Sequence, residues 1–260
     1  MMRPSRAILV LLVIVAVLAL PSIRQAGAQT LVEHVADTRV VVSLRVNDAK
    51  LKARVAAPWE ISPATSGPSK DANLSLVFVD RLLVQDADGK PKGPGLDRLV
   101  AFVAPGKHTQ TGETGPLVIR VFTANPQALP GFYKNYLHAS IQREQTAQGT
   151  ALEAGAGTDA WALRTSGNES VELRLAYQRG VPARSRGDSK PRAAAEPSVW
   201  RIYRFDQGVD VIRSVPASID RLQKYELRVT LGEFRDLFDG SEQLVSVAVL
   251  PWYHRQTLLP

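Results

Sequence analysis

The side chains able to do chemistry are few and scattered. Four histidines, His34, His108, His138 and His254, are the ordinary candidates for proton transfer near neutral pH. No two of them are three or four residues apart, so no helical turn offers a pair to a metal, and no metal is assigned. His138 and His254 stand beside aromatics, in Phe132-Tyr133-Lys134-Asn135-Tyr136-Leu137-His138 and in Trp252-Tyr253-His254. A third cluster holds Trp200, Tyr203 and Phe205. Such groups line cavities for small apolar ligands, and they also pack ordinary β cores. The candidate ligand-binding residues are therefore Phe132, Tyr133, Tyr136, His138, Trp200, Tyr203, Trp252 and His254.

No nucleophile elbow, Ser-x-x-Lys pair, phosphate-binding glycine loop or dinucleotide fingerprint is present, so neither a catalytic residue nor a cofactor is assigned. Asp86-Ala87-Asp88-Gly89-Lys90 starts like a calcium loop, but Lys90 puts a cation where a ligand oxygen belongs. It reads as a hairpin turn.

The elements that must position these groups are strands. Val171 to Tyr177 and Tyr225 to Val229 alternate apolar and polar residues with period two, as does Val199 to Phe205 less cleanly. Leu74 to Val84, Leu99 to Ala104, Leu117 to Thr123 and Leu244 to Leu250 are apolar on both faces, which predicts a covered sheet. Thr38 to Val46 reads as a first strand. Short helices are expected at Gly131 to Leu137, Pro216 to Lys224 and Gly232 to Phe238. Loops are expected at Ala57 to Ala72, Gly149 to Thr158 and Gly180 to Pro197. The fold class is mainly β: one antiparallel barrel-like or strongly curved sheet domain over 29–260, with few short helices.

The chain opens with Arg3 and Arg6, an apolar run from Ala7 to Leu20 and the small residues Ala26-Gly27-Ala28. That order predicts a cleaved signal peptide over 1–28 and a periplasmic or secreted protein without a stable membrane anchor. The apolar run is shorter than the roughly 20 residues of a membrane span. Zero Cys excludes disulfides, thiolate catalysis and Cys-ligated metals. Removing Arg3, Arg6 and Arg24 lowers the formal net charge from +7 by three to +4, spread without basic blocks, so no nucleic-acid partner is expected. Oligomeric state is left open.

Two stretches, Gly67 to Pro91 and Leu237 to Pro260, resemble a family of exported bacterial proteins. Pro130 to His138 is similar to the segment with a Gly-Phe-Pro-Lys-Lys core in the acetoacetate decarboxylase superfamily. The resemblance implies a cone-like antiparallel β barrel around an apolar cavity. It also departs from that pattern: Tyr133 and Asn135 replace the Pro and one Lys. Where the family carries its Schiff-base lysine, this chain has Leu117-Val118-Ile119-Arg120-Val121-Phe122, with no lysine between Lys107 and Lys134. Arg120 joins the candidate set, but a guanidinium stays protonated and cannot form the imine. The favoured expectation is an exported non-catalytic protein binding a small apolar or amphipathic molecule. The alternatives are an enzyme of this fold acting on a carbonyl compound or lactone, with His138, His254 or Arg120 as polar groups, and a structural or envelope-assembly protein.

Overall fold

A computed structural model describes residues 29–93, 96–150 and 155–260. The expected signal peptide lies outside the described residues. The chain runs β1 (Thr30–Arg45), helix α1 (Asp48–Lys52), β2 (Trp59–Ile61), β3 (Leu74–Gln85), β4 (Asp97–His108) and β5 (Thr114–Thr123). It continues through β6 (Tyr136–His138), β7 (Ser140–Ala147), β8 (Ala156–Arg164) and β9 (Ser170–Gln178). The last third holds β10 (Ala183–Ser189), β11 (Arg192–Ala193), β12 (Ile202–Ser214), β13 (Ile219–Asp220), β14 (Leu222–Val229) and β15 (Gln243–Leu259).

An 11-stranded sheet takes the order β10-β12-β15-β1-β3-β4-β5-β11, with β2 on β4, β6 on β5 and β13 on β12. A 4-stranded sheet takes the order β14-β9-β8-β7. The mainly β expectation holds, with two amendments. The large sheet stays open instead of closing into a barrel, and β5 pairs in parallel with both β6 and β11.

The core lies between the two sheets. Val40, Val42, Phe78, Phe102, Phe122 and Val247 from one face of the large sheet meet Trp161, Leu163, Leu173, Leu175 and Tyr177 from the small one. Burying each of the larger side chains contributes about 1.5–3 kcal/mol. The opposite face of the large sheet carries a separate cluster around Val79, Leu99, Ala101, Val118, Val121 and Tyr133.

One irregularity governs what that second face displays. Arg39 of β1 pairs with Leu250 of β15, yet Asp37, two residues on, pairs with Tyr253, three residues on. The extra residue falls beside Pro251, which has no N–H to give the ladder, so a bulge accommodates it. A bulge of one residue reverses the alternation beyond it.

Several expectations fail for local reasons. Gly131 to Leu137 forms no helix: Gly131 takes φ +71° and the segment turns directly into β6. A Cβ at Gly131 would collide with the Tyr136 ring, so that ring lies flat on the turn. Pro216 to Lys224 is a turn leading into β13 and β14. Of Gly232 to Phe238 only a 3-10 turn at Gly232–Phe234 is regular, with Phe234 buried. The unexpected helix α1 is capped by Asn47, whose side chain accepts from the Lys50 N–H at 3.1 Å. The Gly180 to Pro197 loop contains β10 and β11. As an edge strand exposed on both faces, β10 has no apolar alternation to announce it.

Candidate active site

The bulge beside Pro251 turns Tyr253 and Arg255 onto the face remote from the small sheet, where β1 presents Arg39 and β3 presents Val77, Val79 and Arg81. A cavity of about 210 Å³ opens there. Its floor is Val77, Val79, Leu99, Ala101, Val103, Val118 and Val121, and its walls hold Arg39, Arg81, Arg255, Tyr133, Tyr136, Tyr203 and Tyr253. No Lys, His, Asp or Glu lines it among the described residues.

The three arginines differ in what already holds them. Arg39 is gripped by Asp37 through two bonds of 2.7 and 2.9 Å and lies 3.3 Å over the Tyr253 ring centre. Burial opposes its charge, but Asp37 more than offsets this and raises its pKa. Arg255 gives one bond of 3.2 Å to Glu33 and stacks 4.1 Å from the Tyr203 ring centre. Arg81 approaches Asp97 only at 3.6 Å. The Nε–H groups of Arg81 and Arg255 are buried and have no hydrogen-bond partner among the described residues. Buried donors are normally satisfied; the Nε–H groups of Arg192 and Arg213, away from this cavity, are likewise without a partner among the described residues.

The tyrosines form the second half of the site. Tyr133 donates to the Tyr203 hydroxyl at 2.7 Å. Burial, reinforced by Tyr203, holds the Tyr133 phenol well above its ordinary pKa, and burial pushes Tyr136 up to about 12. Both are neutral hydrogen-bond donors throughout the physiological range.

Of the sequence candidates, Tyr133, Tyr136 and Tyr203 line this cavity and the others do not. Arg120 pairs across the ladder with Phe102, so it sits on the opposite face, where it bonds Glu233 at 2.7 Å. Phe132 packs beside the cavity under the Arg201 guanidinium, which lies 3.3 Å from its ring centre. Trp200 stacks with Arg192 at 4.6 Å, and His138 is exposed at the end of β6. Trp252 and His254 lie edge-to-face at 5.9 Å on the outer side of β15. His254 and His34 border a surface groove there, whose Arg186 and Arg204 are already paired with Asp206 and Asp188 at 2.7 and 2.9 Å. The residues missed were Arg39, Arg81, Tyr253 and Arg255. Tyr253 and Arg255 alternate with the two residues chosen, and Pro251 was the one signal that the parity flips.

No protein family and no characterised sequence matches the chain. Solved structures do. The enduracididine biosynthesis enzyme MppR with HEPES buffer bound superposes with a TM-score of 0.60 at 14% identity, covering 91% of this chain and 89% of that one. The same enzyme complexed with pyruvate gives 0.58 at 13%, covering 92% of each. Acetoacetate decarboxylase from Legionella pneumophila subsp. pneumophila str. Philadelphia 1 gives 0.54 at 12%, covering 95% of each. The chain therefore has the fold of the acetoacetate decarboxylase-like enzymes, as the Pro130 to His138 resemblance implied.

The neighbours that share this fold are enzymes, and that finding contradicts the expectation of a non-catalytic binding protein. That expectation rested on the missing catalytic motifs, the aromatic clusters and the resemblance to a cavity barrel. Here the polar groups come one or two at a time from β1, β3, β12, β15 and the turn before β6, so no contiguous motif could have recorded them.

Proposed function

We propose that this chain is an enzyme that activates a small oxo acid by hydrogen bonding and charge, without forming an imine. The observation that carries the reading is one cavity holding two buried arginine Nε–H groups without partners beside the Tyr133–Tyr203 hydroxyl pair. A planar guanidinium matches a carboxylate. Because Tyr133 donates to Tyr203, the Tyr203 proton is left for a substrate carbonyl oxygen. Donors fixed in place where charge develops are the usual means of stabilising an enolate. Pyruvate bound to MppR, a neighbour of the same fold, supports a 2-oxo acid as the substrate class.

The arginines favour enolisation over decarboxylation. In decarboxylation the carboxylate charge leaves the carboxylate, so arginine would stabilise the bound substrate more than the transition state. In enolisation the carboxylate stays intact while charge grows on the carbonyl oxygen that Tyr203 faces, and water takes the α-proton. Water occupies about 30 Å³ in the liquid, so a cavity of about 210 Å³ admits a small oxo acid together with water.

The test is hydrogen–deuterium exchange at the α-carbon of 2-oxobutanoate, followed by proton NMR in deuterium oxide. Saturable acceleration by the wild type is expected, with KM raised at least tenfold in Arg255→Met. Exchange no faster than in buffer, for 2-oxobutanoate and for acetoacetate alike, would overturn the reading.

A further inference from the structure

The cavity adjoins a second, larger groove on the same face of the sheet. Val77, Val103 and Pro116 line it and also line an adjoining groove of about 600 Å³ beneath the segment from Ser62 to Ala72. Along the strands that floor both chambers the side chains change character in the same order. On β3 the inward residues are Ser75, Val77, Val79 and Arg81; on β1 they are Ser43, Val41 and Arg39, paired with Ser75, Val77 and Val79. On β15, Ser246 and Ala248 oppose Ser43 and Val41, and past the bulge come Tyr253 and Arg255. Three neighbouring strands thus run from hydroxyl through small apolar to guanidinium.

The two ends are chemically distinct. The arginine end has unpartnered donors for an anion. Among the described residues no charged side chain lines the groove; Val41, Val77 and Val103 are only half-buried there, leaving apolar surface open on the sheet. At its far end Ser43, Ser69, Ser75 and Ser246 share hydroxyl contacts of 3.0 to 3.4 Å. Six residues of strand separate Ser75 from Arg81, about 20 Å at roughly 3.3 Å per residue. A pyruvate-sized molecule would leave most of that length empty.

We infer that the substrate is an oxo acid with an extended neutral tail: the carboxylate sits at Arg81 and Arg255, and the tail passes the Val77–Val103–Pro116 neck into the uncharged groove. This rests on the oxo-acid reading above and adds its substrate class. A charged tail is disfavoured because nothing in the groove would neutralise it.

Isothermal titration of the full chain with a straight-chain series of 2-oxo acids, from 2-oxobutanoate to 2-oxododecanoate, tests the inference alongside the exchange assay. Affinity is expected to rise about fourfold per methylene buried, which is about 0.8 kcal/mol per CH₂. Val103→Phe, at the neck, is expected to stop that rise at short chains, and Val41→Phe, in the groove alone, to stop it later. The order of the two variants is the signature of a tail lying from the cavity into the groove. Flat affinity across the series, with 2-oxobutanoate still bound and exchanged, would overturn the tail and leave the oxo-acid reading intact. No binding and no exchange at any length would overturn both.

Discussion

Two buried arginines on opposite sides of the large sheet, one reaching it from the small sheet, are treated in opposite ways. Arg143 of β7, packed between the sheets, gives bonds of 3.1 and 2.6 Å to Asp159, 2.6 Å to Thr38 and 3.2 Å to Asp80. Its three nitrogens are all engaged, and it ties the small sheet to β1 and β3. Arg255, whose side chain is 7% exposed, gives Glu33 a single bond and keeps a buried Nε–H with no acceptor. Arg143 has every nitrogen engaged, whereas Arg255 keeps one buried N–H without an acceptor among the described residues, as Arg81, Arg192 and Arg213 also do. On the function proposed above, the first arginine holds the two sheets together and the second would meet the substrate carboxylate.

The contrast is broken most severely by removing each guanidinium in turn. Arg143→Met leaves Asp159, fully buried, without its counter-charge and is expected to cost about 3–5 kcal/mol of folding free energy. Arg255→Met leaves Glu33, which is 20% exposed and 3.7 Å from Lys92, and is expected to cost about 1 kcal/mol or less, in line with a part-exposed pair. Urea unfolding of the two variants checks this. Equal losses would mean that Arg255 is also structural.

How far each face could be read from the sequence follows from the same division. The face between the sheets depends on alternation alone, and Val171 to Tyr177 predicted its own strand to within a residue at each end. Leu74 to Val84 is similarly close to β3, while Leu117 to Thr123 starts three residues late on β5. The site depends on parity at a bulge, and parity is not local. Read without the bulge, Trp252 and His254 share the Leu250 face; with it, Tyr253 and Arg255 take their place. Gly208 records the same event on β12, since it faces Trp252 so closely that a Cβ would come within 2.7 Å of the indole nitrogen. Arg39 and Arg81 were hidden differently. Each sits in an apolar strand, and only the pairing of β1 with both β3 and β15 sets them beside Arg255.

A second, smaller test separates chemistry from packing within the cavity. Tyr203→Phe keeps the ring under Arg255 and removes only the hydroxyl. It is expected to slow α-hydrogen exchange about 100-fold, as loss of one oxyanion donor does, with 2-oxo acid affinity nearly unchanged. Tyr133→Phe removes the bond that orients Tyr203 but no donor to the substrate, so a loss of about tenfold is expected, mainly in kcat. If Tyr133→Phe proves the more damaging, the roles of the two hydroxyls are reversed.

The smallest expected effect comes at alkaline pH, and it touches both faces. Burial pushes Tyr136 in the cavity up to about 12 and does the same to Tyr177 between the sheets. An unfolded tyrosine ionises near 10. The folded state therefore holds its phenolic protons longer than the unfolded state. Stability from these groups is full below pH 10 and falls as pH climbs from 10 through 12. Each phenol accounts for at most about 3 kcal/mol of that loss, so Tyr136→Phe and Tyr177→Phe should each flatten the alkaline decline measured by urea unfolding. A bound carboxylate tells them apart. Placed at Arg81 and Arg255, its negative charge opposes ionisation of Tyr136 and is screened from Tyr177 by the sheet. Saturating 2-oxo acid should delay phenolate absorbance in Tyr177→Phe, which keeps Tyr136, more than in Tyr136→Phe. Equal delays in the two variants would place the anion away from the cavity.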